Sequence, residues 1–72
     1  MTLKIAENIR YHRLRLGLTQ SELAAKLFSS KSLISNYENH ISTPDIVTLC
    51  KLAKIFDITL DELVEWRDDD EE

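Results

Sequence analysis

The sequence predicts an all-α fold, a compact bundle of five helices. The chain of 72 residues contains one Gly and one Pro, so it lacks the residues that usually punctuate strands and hairpins. Apolar residues recur with helical spacing along most of it. Two capping boxes, Thr19 to Glu22 and Thr59 to Glu62, mark helix starts. A chain of this length has room for one core, and we expect one domain over residues 1–67.

The first two predicted helices follow from these signals. Helix 1 is expected from Thr2 to Leu16, with Gly17 as its C-terminal stop. Thr19 caps helix 2, which covers about residues 20–27.

The next two helices begin at polar caps. Ser30 is the expected N-cap of helix 3, over about residues 31–38. Helix 4 is expected to start with Thr43 as N-cap and Pro44 as its first residue, and to end at Asp57. Together they predict a polar connection between helices 3 and 4.

The C-terminal part holds a short helix and an acidic segment. Helix 5 opens at Thr59 and includes Trp66. The five acids at 68–72 predict a disordered, solvated tail, although they could also bind a basic partner or suppress non-specific DNA binding. Cys50, the sole cysteine, lies in the apolar pattern of helix 4 and is expected to be a buried structural thiol, a redox or dimer-linking role being the alternative.

The charge is distributed unevenly along the chain. The formal net charge is −4, but residues 1–40 carry six cations against three acids, and residues 41–72 carry three cations against ten acids. The net charge of +3 in the first half favours binding to a polyanion more than the total charge of the chain suggests. The alternative is an accidental asymmetry with a solvated acidic tail.

Helix 3 has an apolar inner face and a polar outer stripe. At 100° per residue, Ile34 and Tyr37 point one way, while Ser32, Asn36 and Asn39 point the other. The tip carries Lys31. Asn, Lys and Ser side chains can pair with base edges in the major groove, although an ordinary solvated face has the same composition. Leu33 flanks the stripe and either contacts a thymine methyl group or packs at the domain edge.

Two further features concern the support of helix 3 and its phosphate contacts. Glu38 lies on its semi-buried side, and Arg13 on helix 1 is the natural partner, because a buried carboxylate without one is costly. The remaining Arg13 N–H groups could reach a phosphate; the alternative is two independent surface charges. Gln20 and Ser30, at the starts of helices 2 and 3, are placed for phosphate contacts.

The segment LTQSELAAKLFSSKSLISNYEN, followed by TPDIVTLCKLAKIFDITLDEL, resembles the Cro/repressor-type (XRE) helix-turn-helix family. The resemblance implies a lambda-repressor-like domain in a transcriptional regulator, a repressor or controller protein, that binds double-stranded DNA. It implies two sets of contacts. The base-reading residues would be Lys31, Ser32 and Asn36 with Leu33 beside them, and the phosphate-binding residues would be Gln20, Ser30, Ser35 and Asn39. Arg13 with Glu38 resembles the bridging ion pair of the family.

Two positions depart from the family pattern, which commonly has glycine there. Phe28 lies in the turn between helices 2 and 3, where either the residue is strained in a left-handed conformation or helix 2 runs longer. His40 follows helix 3, histidine tolerates the left-handed region better than most residues, and its side chain could contact a phosphate.

A homodimer that reads an inverted-repeat operator is expected. Its predicted interface is apolar: Ile58, Leu60, Val64 and Trp66. The alternative is that Trp66 folds back over the core. The sequence also predicts a cytoplasmic protein that is not an enzyme and uses no metal or cofactor, since no metal cluster, phosphate loop or nucleophile with a base is evident. The rival is an antitoxin-like protein-interaction module on the same fold.

Overall fold

The fold consists of helices joined by short connections. The computed structural model describes residues 3–65, and all five predicted helices are present in that range. The helices are α1 (Ile5–Arg15), α2 (Gln20–Lys26), α3 (Lys31–Glu38), α4 (Ile46–Phe56) and α5 (Leu60–Val64). Residues 3–65 contain no strand, so the all-α prediction is confirmed. The predictions for Trp66 and for the tail at 68–72 lie outside the described residues.

Every helix contributes to one core. Six large side chains are fully buried, and they come from all five elements: Ile9, Leu23, Ile34, Leu52, Phe56 and Leu63. Burying each such side chain stabilises the fold by about 1.5–3 kcal/mol relative to leaving it exposed. The spacing that predicted the helices is therefore the spacing that fills the core.

The capping boxes form as predicted. Thr19 Oγ1 accepts from the Glu22 amide at 3.0 Å, and the Glu22 carboxylate accepts from the Thr19 amide at 2.8 Å. Thr59 and Glu62 repeat the arrangement at 3.1 and 2.8 Å. These reciprocal bonds satisfy helix N-terminal N–H groups that would otherwise have no partner.

The predicted start of helix 4 is wrong by two residues. Asp45 is the N-cap, its Oδ1 accepts from the Thr48 amide at 2.8 Å, and the helix begins at Ile46. Thr43 and Pro44 precede the cap instead of forming it. A carboxylate at this end gains both the cap hydrogen bond and the favourable helix dipole, so Asp45 is the better cap. The predicted end is correct, since Asp57 terminates α4 with a left-handed φ of 59°.

Two carboxylates at helix N-termini make the stability of the fold depend on pH in the acidic range. Hydrogen bonds from the backbone of Thr48 lower the pKa of Asp45, and those from the backbone of Thr59 lower the pKa of Glu62. A carboxyl group with a lowered pKa in the folded state stabilises the fold above its unfolded pKa of about 4 and loses this contribution as the pH falls through the folded value.

We expect the melting temperature to fall as the pH drops below about 4. The double variant Asp45→Asn, Glu62→Gln keeps capping groups that do not titrate, so its melting temperature should depend less on pH over the same range. Thermal melting followed by circular dichroism from pH 7 to pH 2 checks this. Parallel curves for the variant and the native protein would contradict it.

The turn between α2 and α3 is strained at Phe28. Its φ is 55°, and 97% of its surface is exposed. Helix α2 ends at Lys26, so the prediction that the residue itself is strained is the correct alternative. Backbone bonds from the amides of Phe28 to Ala25 O and of Ser29 to Ala24 O, at 3.1 and 2.8 Å, close the turn.

Phe28→Gly should stabilise the protein. The left-handed region costs a residue with a Cβ about 1–2 kcal/mol, which glycine avoids. Glycine also raises the conformational entropy of the unfolded chain, which lowers the stability of the fold by about 0.4–1 kcal/mol. We expect a net gain of about 0.5–1 kcal/mol in the free energy of unfolding, measured by urea denaturation. Phe28→Ala, which removes the ring and keeps the Cβ, is the control and should show no comparable gain.

The outer surface of α4 differs from expectation at Cys50. The helix buries Leu49, Leu52, Ala53 and Phe56, whereas Cys50 is exposed. Cys50 follows Leu49 by 100° around the helix, which moves it off the buried face. The prediction of a buried structural thiol is therefore wrong.

No helix among residues 3–65 has the length and apolar character needed to cross a membrane.

Candidate nucleic-acid interface

The outward face of α3 gathers the predicted base-reading residues. Ile34 and Tyr37 are buried against the core, and burial raises the pKa of the Tyr37 hydroxyl, which therefore stays neutral. On the opposite side, Lys31, Ser32, Ser35 and Asn36 line one shallow depression. This surface, the α3 reading face, offers one ammonium group, two hydroxyls and one amide to a ligand.

Leu33 lies at the margin of the reading face. It is half-buried and packs against the hydrophobic core cluster. The structure thus supports the packing alternative, while the exposed remainder of the side chain leaves a base contact as a prediction.

Arg13 and Glu38 meet beneath α3. The guanidinium Nε donates to Glu38 Oε2 at 2.6 Å, and one terminal nitrogen donates to Oε1 at 3.1 Å. The other terminal nitrogen donates to the Leu18 carbonyl at 2.8 Å. The exposed fractions of the two side chains are 10% and 4%, so this is a bidentate ion pair shielded from water. It joins α1 to the C-terminal end of α3.

Gln20 takes part in the same cluster, which sequence reasoning missed. Its Nε2 donates to Glu38 Oε1 at 3.1 Å, so the first residue of α2 is also tied to α3. The signal was available in retrospect, because a buried carboxylate accepts more bonds than one arginine supplies. We call Arg13, Gln20 and Glu38 the support triad.

The triad changes what is expected of two predicted phosphate ligands. Arg13 is buried and each of its nitrogens already donates within the protein, so the geometry gives its phosphate contact no support. Gln20 is half-buried and one of its N–H groups is occupied. Both phosphate contacts remain predictions.

Ser30 and Asn39 stand at the two ends of α3. Ser30 Oγ accepts the cap bond from the Leu33 amide at 3.2 Å, which leaves its hydroxyl proton to donate. Asn39 Nδ2 donates to Ser35 O and Ser35 Oγ at 2.8 and 3.2 Å. Both residues are exposed. Their phosphate contacts, and that of Ser35, are compatible with this placement.

His40 begins the loop after α3. It adopts a left-handed φ of 62°, and its Nε2 lies 3.5 Å from Glu7 Oε2. Both side chains are exposed, so the pair is open to water. A phosphate at His40 would have to lie beside the Glu7 carboxylate, which disfavours the predicted contact.

The apolar residues predicted for the dimer interface lie at and before α5. Ile58, Leu60 and Val64 are each half-buried and pack against the core. They present less free apolar surface than the sequence suggested, because α5 uses them to seal the bundle. The fourth predicted member, Trp66, lies outside the described residues.

Comparison with known proteins identifies the family to which this chain belongs. The family model described as helix-turn-helix matches residues 9–63. The transcriptional regulator ImmR of Bacillus subtilis is 32% identical over 62 residues, which cover 86% of this chain and 49% of that protein. The transcriptional activator BcrR of Enterococcus faecalis is 37% identical over 59 residues, covering 79% and 29%. The chain thus spans half or less of these curated relatives.

Solved structures agree with the family match. The P22 c2 repressor in complex with a synthetic operator superposes with a TM-score of 0.79 at 28% identity, covering 85% of this chain and 92% of that one. SinR, a master regulator for biofilm formation solved with DNA, gives 0.76 at 33% identity, covering 83% and 100%. Hydroxypropylphosphonic acid epoxidase, at 0.77 and 18% identity over 83% of this chain and 32% of that one, shares the fold alone. The chain belongs to the helix-turn-helix family of the Cro/repressor (XRE) type, a family of DNA-binding transcriptional regulators.

Proposed function

We propose that this protein regulates transcription as a sequence-specific DNA-binding repressor or controller that inserts α3 into the major groove. The observation that carries the proposal is the reading face, in which Lys31, Ser32 and Asn36 share one depression. The opposite side of the same helix is anchored by buried Ile34 and Tyr37 and by the support triad. A rigidly held helix with short polar side chains outward suits base-edge recognition.

Each residue of the reading face has a distinct role in this proposal. Asn36 presents an amide that can pair with N6 and N7 of adenine, and Lys31 can donate to O6 and N7 of guanine. Ser32 can bond either kind of edge. Ser30 and Ser35 donate to flanking phosphates, which fix the register of the helix along the groove.

We propose further that the protein acts as a homodimer on an inverted repeat. A two-fold dimer of this domain would present two copies of α3, about 34–36 Å apart, to successive major grooves. The exposed parts of Ile58, Leu60 and Val64, which are otherwise packed against the core, are the proposed contact. Two related proteins in the comparisons, P22 c2 and SinR, were solved bound to DNA.

Selection of binding sites from random duplexes tests this proposal. We expect an enriched inverted repeat whose half-sites are one helical turn apart, and a footprint on the DNA upstream of the gene. Sedimentation of the protein with a single duplex should give two chains per site. Enrichment of no sequence above the non-specific background would contradict sequence-specific recognition by α3. A single enriched half-site that binds one chain would contradict only the proposed dimer.

The protein-interaction alternative makes a different demand on α3. A protein interface would place aromatic and apolar anchors on the reading face, whereas Lys31, Ser32, Ser35 and Asn36 are all polar. This composition favours DNA over an antitoxin-like role for that face.

A further inference from the structure

Two depressions of the surface share two lysines and form one groove beside α4. The first lies along α4, and the second lies between α4, the end of α2 and the turn that contains Phe28. Lys51 and Lys54 line both depressions. The groove contains one further lysine, Lys26, and six apolar residues: Leu27, Phe28, Ile46, Val47, Cys50 and Ile55. We call it the α4 groove.

The apolar residues of the groove on α4 leave much of their surface in water. Ile46 and Val47 are 60% and 59% exposed, and Cys50 follows about one turn later. Single exposed apolar side chains are ordinary on a protein surface, but a contiguous set bordered by charged residues marks an interaction site. The composition of the groove is therefore that of an interface.

Phe28 is an unfavourable residue for the isolated fold. Its side chain is 97% exposed and its φ of 55° is left-handed, at a position where the family pattern commonly has glycine. The backbone is strained and an aromatic ring is left in water, so the fold gains nothing from this side chain. Strained residues persist mainly at functional sites, which indicates that another molecule uses the ring.

The lysines of the groove have no carboxylate partner among residues 3–65. The ion pairs of that range join Arg13 to Glu38 and His40 to Glu7. No acid lines either depression. Lysine side chains cover apolar surface with their stems while their ammonium groups stay in water. The groove therefore offers apolar contact area together with cations that are available to a ligand.

We propose that the α4 groove binds an acidic amphipathic helix of a partner protein. A helix that docks in a groove presents apolar residues three and four positions apart, and carboxylates beside them would pair with Lys26, Lys51 and Lys54. From Ile46 to Ile55, α4 rises about 13.5 Å, which matches about nine residues of a partner helix. Phe28 supplies the aromatic group that protein interfaces favour.

Duplex DNA is the other ligand that cations could attract, and the groove suits it less well. Contacts to phosphates are made by cationic and polar groups. Two thirds of the groove residues are apolar, and none of them belongs to the α3 reading face. The mixture of apolar and cationic groups therefore favours a protein partner.

Selection from a library of displayed helical peptides provides the probe for a test. The library peptides have about 14 residues, about 21 Å of helix, and random side chains on one face. We expect selection on the native protein to enrich peptides with apolar residues three and four apart and with Asp or Glu beside them. A labelled peptide of this kind is then titrated by fluorescence anisotropy.

Two substitutions with matched controls locate the site. Phe28→Gly should weaken binding of the peptide about tenfold or more, although it stabilises the fold, so unfolding cannot explain the loss. Tyr11→Ala removes an aromatic ring that is 62% exposed on α1 and should leave binding unchanged. Lys51→Glu should weaken binding severalfold, whereas Arg10→Glu makes the same change in charge at an exposed site on α1 and should not.

A charge swap supplies an independent measurement. Lys51→Glu with Lys54→Glu should lower affinity for the acidic peptide by about tenfold and raise affinity for the same peptide with lysines in place of its acids. Circular dichroism checks that the double variant is folded. If it is not, the Phe28→Gly result decides, because that variant is expected to be more stable than the native protein.

Several outcomes would overturn the proposal. Peptides without enriched acids, or equal binding to the native protein and Phe28→Gly, would show that the groove is not the docking site. Displacement of the peptide by a scrambled duplex would assign the groove to DNA, and loss of binding as the protein self-associates would assign it to a second copy. Binding seen only after the acids at 68–72 are replaced by amides would assign it to the end of the same chain. The peptide measurements use no operator, so their failure leaves the proposed function untouched.

Discussion

Glu38→Ala should unfold the protein or bring it close to unfolding. The substitution leaves the Arg13 guanidinium, whose side chain is 10% exposed, without its counter-ion and removes the acceptor of the Gln20 amide. Breaking a buried ion pair by removing one partner costs about 3–5 kcal/mol. Small domains have total stabilities near the lower end of about 5–15 kcal/mol. We therefore expect a large fall in the urea midpoint and a melting transition near or below room temperature.

A paired substitution separates the lost ion pair from lost packing. Arg13→Met combined with Glu38→Leu replaces both charges by apolar groups of similar size, which is commonly neutral for a buried pair. The double variant should recover most of the stability, short of the bonds from Arg13 to Leu18 O and from Gln20 to Glu38. If Glu38→Ala cost less than about 1 kcal/mol, the pair would behave like a solvent-exposed one, and its role as the support of α3 would be wrong.

Lys31→Ala combined with Asn36→Ala should strongly weaken specific operator binding. Each well-placed contact to a base edge contributes about 1–3 kcal/mol of discrimination. Removing two should weaken specific binding by roughly 30-fold to 10⁴-fold, while non-specific binding, which depends on phosphates, falls much less. Titration of labelled operator and scrambled duplexes at one fixed salt concentration measures both.

The control for this experiment keeps the charge change and moves it away from α3. Lys54→Ala also removes one cation, but from the outer side of α4. Its effect on operator affinity should be small. Circular dichroism must show that all variants stay helical, which is expected because Lys31 is exposed and the Asn36 side chain lines an open depression. Operator affinity that is unchanged by the double substitution would show that α3 does not read the operator.

The helices and their ends were largely predictable because they depend on local chemistry. Thr19, Ser30 and Thr59 cap the helices that the sequence assigns to them. A capping bond joins residues three apart in the chain, so the pattern contains both partners. The start of α4 was harder to predict, since both Thr43 and Asp45 can act as an N-cap. Which of them does so depends on whether the hydroxyl or the carboxylate binds the free amides of the first helical turn more strongly.

A tertiary contact was predictable from the sequence only where a buried charged group requires a partner, because leaving it unpaired would cost too much free energy. A buried Glu38 requires a cation, and Arg13 was identified on that ground. The addition of Gln20 depends on the angle between α2 and α3, which the unusual turn at Phe28 left open. The exposure of Cys50 was misjudged because its apolar neighbours, Leu49 and Leu52, suggested burial for all three.

The separation between support and reading on α3 makes this domain a suitable scaffold for retargeting. None of the support triad belongs to the reading face, and the contacts that close the following loop run from the amides of Ile41 and Ser42 to the main-chain carbonyl of Asn36, at 2.9 and 3.3 Å. A main-chain acceptor is the same whatever side chain the residue carries. Positions 31, 32 and 36 can therefore be randomised together in a library, and variants selected for new operators should inherit the stability of the parent.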